Sequence, residues 1–174
     1  MSKYSDDQPI IKGADVIYRP AGNAGEYAPL ATNPWKGCGH ECLYCYVPNA
    51  TKIDRGLFNE GAIFRGQSYI DRLKNDLKRH AHLSGTANEQ IFITFSSDPY
   101  HLGDLAPTRQ VIEMLQGGGL AVCTLSKGGS RALPFLDLYR RDRDAYAATL
   151  TSLDDDFSRK WERKAALPDR KSVV

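Results

Sequence analysis

Two short apolar runs, Ile91-Phe92-Ile93-Thr94-Phe95 and Leu120-Ala121-Val122-Cys123-Thr124-Leu125, set the tightest limit on what this chain can fold into. Each reads as a buried strand: short, continuously apolar, and rich in β-branched or aromatic residues. Helical patterns flank them. From Ser68 to about His82, Tyr69, Ile70, Leu73, Leu77 and Ala81 recur at helical spacing with lysines and arginines between them; Ser68 is the candidate N-cap and Gly85 the candidate stop. Pro107 opens a second pattern through Val111, Ile112 and Leu115, where its missing N–H costs nothing, and Gly117-Gly118-Gly119 ends it. Residues 130–141 give a third pattern through Leu133, Leu136 and Leu138. An extended piece at 29–33 precedes them, residues 46–67 read as loop, and 146–150 is a further strand candidate.

The order β, loop, α, β, α, β, α, β predicts right-handed βαβ units, a parallel sheet and an α/β fold. Parallel sheets bind ligands beyond the carboxyl ends of their strands. Polar clusters stand at each such end: a cysteine loop after the first strand, Ser96-Ser97-Asp98-Pro99 after the second, Ser126-Lys127-Gly128-Gly129 after the third, and residues 149–154 around the fourth. One rim should gather them. Residues 1–28, turn-rich and without periodicity, read as an irregular lead-in, and 29–174 as one domain long enough for its own core. No apolar run approaches the roughly 18 residues of a membrane span. The start, Met1 to Asp7, is polar and lacks the apolar centre of a signal peptide, so a cytoplasmic location is expected. The net charge of +2 is too near neutrality to argue for nucleic acid by itself.

Three of the four cysteines fall in Asn33-Pro34-Trp35-Lys36-Gly37-Cys38-Gly39-His40-Glu41-Cys42-Leu43-Tyr44-Cys45-Tyr46, spaced C-x3-C-x2-C. A disulfide framework would spread its cysteines along the chain; clustered thiols favour metal or redox work. Thiolates suit zinc and iron–sulfur clusters alike. A structural zinc closes with four ligands, here with His40 or a distant residue as the fourth, whereas three local thiols leave one position open, as a catalytic site requires. Gly37 and Gly39 would let backbone N–H groups approach a cluster. Cys123 stands alone and reads as a core residue. His40, His80, His82 and His101 show no metal spacing among themselves.

C-x3-C-x2-C with an aromatic just before the last cysteine resembles the signature of the radical S-adenosylmethionine superfamily. The longer string around it resembles the spore photoproduct lyase-like branch, often labelled DNA repair photolyases. The branch pattern continues in Ser97-Asp98-Pro99-Tyr100, in Pro107-Thr108-Arg109 opening a helix, and in Thr124-Leu125-Ser126-Lys127. The likeness spans residues 22–169.

The resemblance implies a [4Fe–4S] cluster on Cys38, Cys42 and Cys45, its fourth iron chelated by S-adenosylmethionine. One-electron cleavage of that sulfonium would give a 5′-deoxyadenosyl radical for hydrogen abstraction in a lyase-like reaction. It further implies Tyr44 beside the adenine, Ser97 and Asp98 at the amino end of the cofactor, Lys127 at its carboxylate, and Thr149 or Thr151 at the ribose or carboxylate. The implied partners are a reductant such as a flavodoxin or ferredoxin, a nucleic-acid substrate, and a second chain to complete the fold; a membrane partner is not implied. Phe95 stands where spore photoproduct lyase carries a hydrogen-donor cysteine, so activity on a thymine photoproduct is not expected. The family barrel has about six βα units and this chain offers about four, so the implied architecture is a partial TIM-like barrel. A zinc-stabilised binding module without catalysis and an inactive fragment of a radical enzyme stand as the alternatives.

Overall fold

Side chains alternate across a strand, and this protein uses the two faces of its sheet for different purposes. The computed structural model describes residues 15–171. The central sheet contains β1 (Ile17–Tyr18), β2 (Leu30–Thr32), β5 (Gln90–Ile93), β6 (Ala121–Ser126) and β7 (Ala145–Ala148), in the order β1-β2-β5-β6-β7. The last four run parallel, in chain order and without reversal; β1 pairs antiparallel with β2 at one edge. The fold is therefore mixed α/β with a mostly parallel sheet. A two-stranded ribbon, β3 (Trp35–Lys36) with β4 (Ile63–Phe64), stands apart from it.

The crossovers are α3 (Gly66–His80), α4 (Ala106–Gly117) and a 3-10 stretch at Gly129–Leu138. They cover one face. Tyr69, Ile70 and Leu73 of α3 and Val111, Ile112 and Leu115 of α4 meet Leu30, Ile91, Ile93 and Val122 in the main core. Each fully buried side chain of this size stabilises by about 1.5–3 kcal/mol, so this face carries most of the apolar free energy. The other face holds Ala31 and Phe92, with Tyr18, Phe95, Cys123 and Leu125 packed beside them, and no crossover helix packs there among the described residues. Cys123, expected in the core, is only partly buried beside this cluster; burial still pushes its thiol up to about 11, which keeps it neutral.

Several elements differ from the sequence expectation. Residues 17–18, within the stretch read as irregular, form the edge strand β1. Its Val16 and Ile17 N–H groups donate to the buried Asp76 carboxylate at 2.7 and 2.9 Å, and Arg79 joins Asp76 to Asp15. A carboxylate on a helix supplied this anchor, which strand patterns do not reveal. Residues 46–67 are not plain loop; they hold α1 (Val47–Thr51), α2 (Arg55–Asn59) and β4. Ser68 lies inside α3 rather than capping it, because Gly66, at a φ of +73°, turns the chain into the helix earlier. The third helical pattern winds as 3-10; Pro134 lies inside it, and in an α-helix its ring would clash with the carbonyl four residues back. After β7 the chain forms α5 (Asp155–Trp161) and α6 (Pro168–Lys171). No described helix is long and apolar enough to cross a membrane.

Asp144 holds the β6–β7 edge together. Its carboxylate accepts from Val122 N at 2.8 Å, from Gln116 Nε2 at 3.0 Å, and from the backbone and guanidinium of Arg140. Burial works to raise its pKa, but the hydrogen bonds from Arg140 and Val122 outweigh it and leave the group below its ordinary 3.8. A carboxylate with a depressed folded pKa contributes stability above its unfolded value and loses it as pH falls through the folded one. Asp144→Asn should lower unfolding free energy by about 1–3 kcal/mol at pH 7, measured by urea denaturation. The gap to the parent protein should narrow only once the pH falls below 3.8. A gap unchanged at pH 2.5 would show that the charge of Asp144 contributes nothing.

Candidate functional site

The cysteine loop leaves β3 at Gly37, and close packing fixes its path. Gly37 adopts a φ of +79°, and a Cβ there would fall 2.3 Å from the Gly61 carbonyl oxygen. Only glycine fits. Cys38 N donates to Phe58 O at 2.8 Å, so this N–H is spent on the scaffold rather than left to face a cluster. Ser97 Oγ donates to Gly37 O at 2.6 Å, and Arg55 Nη2 donates to Cys45 O at 2.8 Å. The loop is therefore held twice from α2 and once from the β5 end.

A cavity of about 410 Å³ opens over the carboxyl ends of the strands. Its wall includes Cys38, Cys42, Cys45, Tyr44, Ser97, Asp98, Lys127 and Thr149, so the structure brings these residues of four loops together. Thr151 lies just outside the lining and touches Tyr44, 3.1 Å between hydroxyls. The opposite wall is apolar: Tyr27, Phe92, Phe95 and Leu125. Phe92 and Phe95 stack at 4.1 Å, and Tyr27 meets both edge-on. Asn23, Ala24 and Tyr27 belong to the stretch read as irregular lead-in, where a 3-10 turn at Gly22–Glu26 carries them to the cavity; no periodicity in the sequence signals this.

Asp98 plays a different part from a simple ammonium partner. It is 6% exposed. Its Oδ1 accepts from Tyr100 N at 2.8 Å and Ser126 Oγ at 2.6 Å; its Oδ2 accepts from Lys127 N at 2.8 Å and lies 3.4 Å from His40 Nδ1. A carboxylate offers about four acceptor directions, and these partners use them. Asp98 thus ties the β5 end, the β6 end and the cysteine loop together. His40 is buried at this junction. Burial, with the Asp98 charge adding to it, pushes the Cys38 thiol up to about 12. The chemistry of the donor set fits a thiophilic iron or zinc species. Among the described residues, no three His, Cys, Asp or Glu side chains converge tightly enough for a single metal ion.

Glu162 was not legible in the sequence, where it sits in the basic run Arg159 to Lys164 and reads as a solvated charge. In the structure it is 1% exposed. Its Oε1 accepts from the Tyr44 hydroxyl and from Thr151 Oγ1 at 2.6 Å, and stands 3.4 Å from Lys127 Nζ. The segment after α5 runs along the cysteine loop: Leu43 N donates to Trp161 O at 2.8 Å, Lys164 N to His40 O at 3.0 Å, and Ala166 N to Lys127 O at 2.9 Å. Burial and the neighbouring Glu162 carboxylate both push the Tyr44 phenol up, so Tyr44 is a neutral donor here. Lys127 also lies over the Tyr44 ring, 6.0 Å from its centroid.

Glu162→Gln keeps the shape but strands the Lys127 ammonium beside a neutral amide. Unfolding free energy should fall by about 1–3 kcal/mol. Limited proteolysis should cut the segment 155–166 faster than in the parent protein. Equal cutting rates in both proteins would show that the carboxylate does not hold this segment. Compared with family models, curated proteins and solved structures, the chain matches none.

Proposed function

We propose that this chain is a radical S-adenosylmethionine protein related to the spore photoproduct lyase-like branch. In this reading a [4Fe–4S] cluster sits on Cys38, Cys42 and Cys45, and S-adenosylmethionine binds in the same cavity. The observation that carries the reading is the convergence of the three thiols with Tyr44, Ser97, Lys127 and Thr149 on one cavity at the strand ends. The sequence resemblance named these residues from four separate loops. Support also comes from the winding: parallel strands in chain order, with their crossovers on one face, are the arrangement of a (β/α) barrel rather than of a doubly wound sheet. The apolar face lined by Phe92, Cys123 and Leu125 then corresponds to a barrel interior, and the chain to a partial barrel.

When bound, the cluster and S-adenosylmethionine supply one-electron reductive cleavage and a carbon radical that abstracts hydrogen. The chain's own residues do the rest. The thiols of Cys38, Cys42 and Cys45 hold the metal. Lys127 presents an ammonium to a carboxylate, shared with Glu162. Ser97 Oγ donates to Gly37 O and keeps its lone pairs for an ammonium. Asp98, engaged by its own loop partners, positions Lys127 through its backbone rather than meeting the ligand. Tyr27, Phe92 and Phe95 exclude water from the far wall. A one-electron donor protein of the flavodoxin or ferredoxin type is the implied partner. Among the described residues β7 pairs with β6 alone, which leaves an edge where a strand from a second chain would add.

The zinc-module alternative would need its thiols and His40 to close on one ion, with sulfurs about 3.8 Å apart for Zn–S bonds of about 2.3 Å. A cluster takes each thiolate on a different iron and needs no such convergence. Anaerobic reconstitution with iron and sulfide should give a brown protein with about four irons per chain. Its reduced electron paramagnetic resonance signal should change on adding S-adenosylmethionine, and 5′-deoxyadenosine should form under reduction. Cys38→Ala, Cys42→Ala and Cys45→Ala should each abolish the signal. A colourless chain holding one zinc after the same treatment would sink the reading.

A further inference from the structure

Helix α2 grips the cysteine loop at both ends. Its Phe58 carbonyl accepts from Cys38 N at 2.8 Å, and its Arg55 Nη2 donates to Cys45 O at 2.8 Å. The first contact is backbone to backbone, and any residue at that position could make it. The second needs a long side chain with a donor at its tip. The residue used is an arginine, a permanent cation.

The charge of that arginine is not matched locally. Arg79, Arg140 and Arg143 each face a carboxylate: Asp76 at 2.5 Å, Asp144 at 2.8 Å and Glu89 at 2.5 Å. Arg55 has no such partner among the described residues. Its Nη2 is spent on a neutral carbonyl, and its Nη1 is shut off from solvent without an acceptor. A guanidinium drawn partly out of water with no counter-charge is costly. A neutral amide donor could hold a carbonyl without that cost.

The missing counter-charge fits the far side of the contact. Cys45 O and Cys45 Sγ belong to one residue, so the guanidinium stands about one side-chain length from a thiolate of the proposed cluster. Arg55 is not part of the cavity wall, so it acts from behind the loop rather than on a ligand. A cluster held by three thiolates is anionic, and an electron delivered by the donor protein makes it more so. A fixed positive charge at this range favours the electron-richer state.

We infer that Arg55 is a positioning residue that sets the reduction potential of the cluster: its guanidinium fixes the third thiolate through the Cys45 carbonyl and favours reduction by its charge. The inference rests on the radical S-adenosylmethionine reading and adds to it a residue outside the cysteine motif and outside the cavity. It accounts for the arginine and for the lack of a carboxylate beside it, since an ion pair would cancel the charge that the cluster uses.

The test is a redox titration of the reconstituted whole chain, followed by the electron paramagnetic resonance signal of the reduced cluster, in the parent, Arg55→Gln and Arg55→Lys. Iron content is measured alongside. Arg55→Gln removes the charge and should make reduction about tenfold less favourable, a fall in midpoint of about 59 mV for one electron. Arg55→Lys keeps the charge without the planar fork and should hold the reduction equilibrium within about threefold of the parent. A purely structural arginine would cost iron in both variants and leave the midpoint of the loaded fraction unchanged. That result, a rise in Arg55→Gln, or equal falls in both variants overturns the role of the charge and leaves the parent reading standing. If Arg55→Gln holds no iron, Arg55→Lys decides: iron retained supports the charge, and iron lost there as well overturns it. A parent chain that takes up no cluster overturns both.

Discussion

The buried Asp98 carboxylate is the contact on which the rim depends. Loops after parallel strands are independent excursions of the chain, and nothing in sheet pairing sets their positions relative to one another. Asp98 supplies that link by accepting from Tyr100 in its own loop, from Ser126 and Lys127 at the end of β6, and by facing His40 in the cysteine loop. A carboxylate taken out of water is costly unless its acceptor sites are filled. Here they are filled by groups from three loops, so the charge and the loops hold one another in place. Glu162 repeats the device on the other flank, joining Tyr44, Thr151 and Lys127.

This arrangement explains which parts of the molecule were legible in the sequence. The strands at 91–95 and 120–125 and the helices opening near Ser68 and Pro107 announce themselves through apolar periodicity, and the structure has all four within a few residues. Their order was enough for a mostly parallel sheet, and the rule that ligands gather at strand ends was enough to place Cys38, Ser97, Lys127 and Thr149 together. Short elements were not legible, because two- to five-residue pieces such as β1, β4, α1 and α2 owe their shape to partners distant in sequence. Asp76 shows the reason: it sits on α3 and decides the fate of Val16 and Ile17, about 60 residues away.

Charged residues were the least legible of all. Asp98 and Glu162 look alike as letters beside basic or turn-forming neighbours. One lies inside a recognisable motif and the other in the run Arg159 to Lys164. Both are buried because their partners come from elsewhere in the fold. The glycine-like backbone of Thr94, at a φ of +67°, was equally hidden, since threonine inside an apolar run reads as an ordinary strand residue. Phe95, beside it, was singled out only through comparison with a cysteine, yet the structure gives it a physical task as one leaf of the Phe92–Phe95 stack.

The division of labour between the two faces of the sheet follows from these placements. The helix-covered face contains Ile91, Ile93, Val122 and the buried rows of α3 and α4, and it stabilises the domain mainly by apolar burial. That surplus lets the opposite rim hold what burial by itself would reject: two desolvated carboxylates, a strained threonine and thiols held apart from one another. A rim selected only for stability would have a glycine at 94 and apolar residues at 98 and 162. Retaining the costly set makes sense where each group has a task, and the tasks divide cleanly. Asp98 and Glu162 fix loop positions, and the thiols offer soft donors.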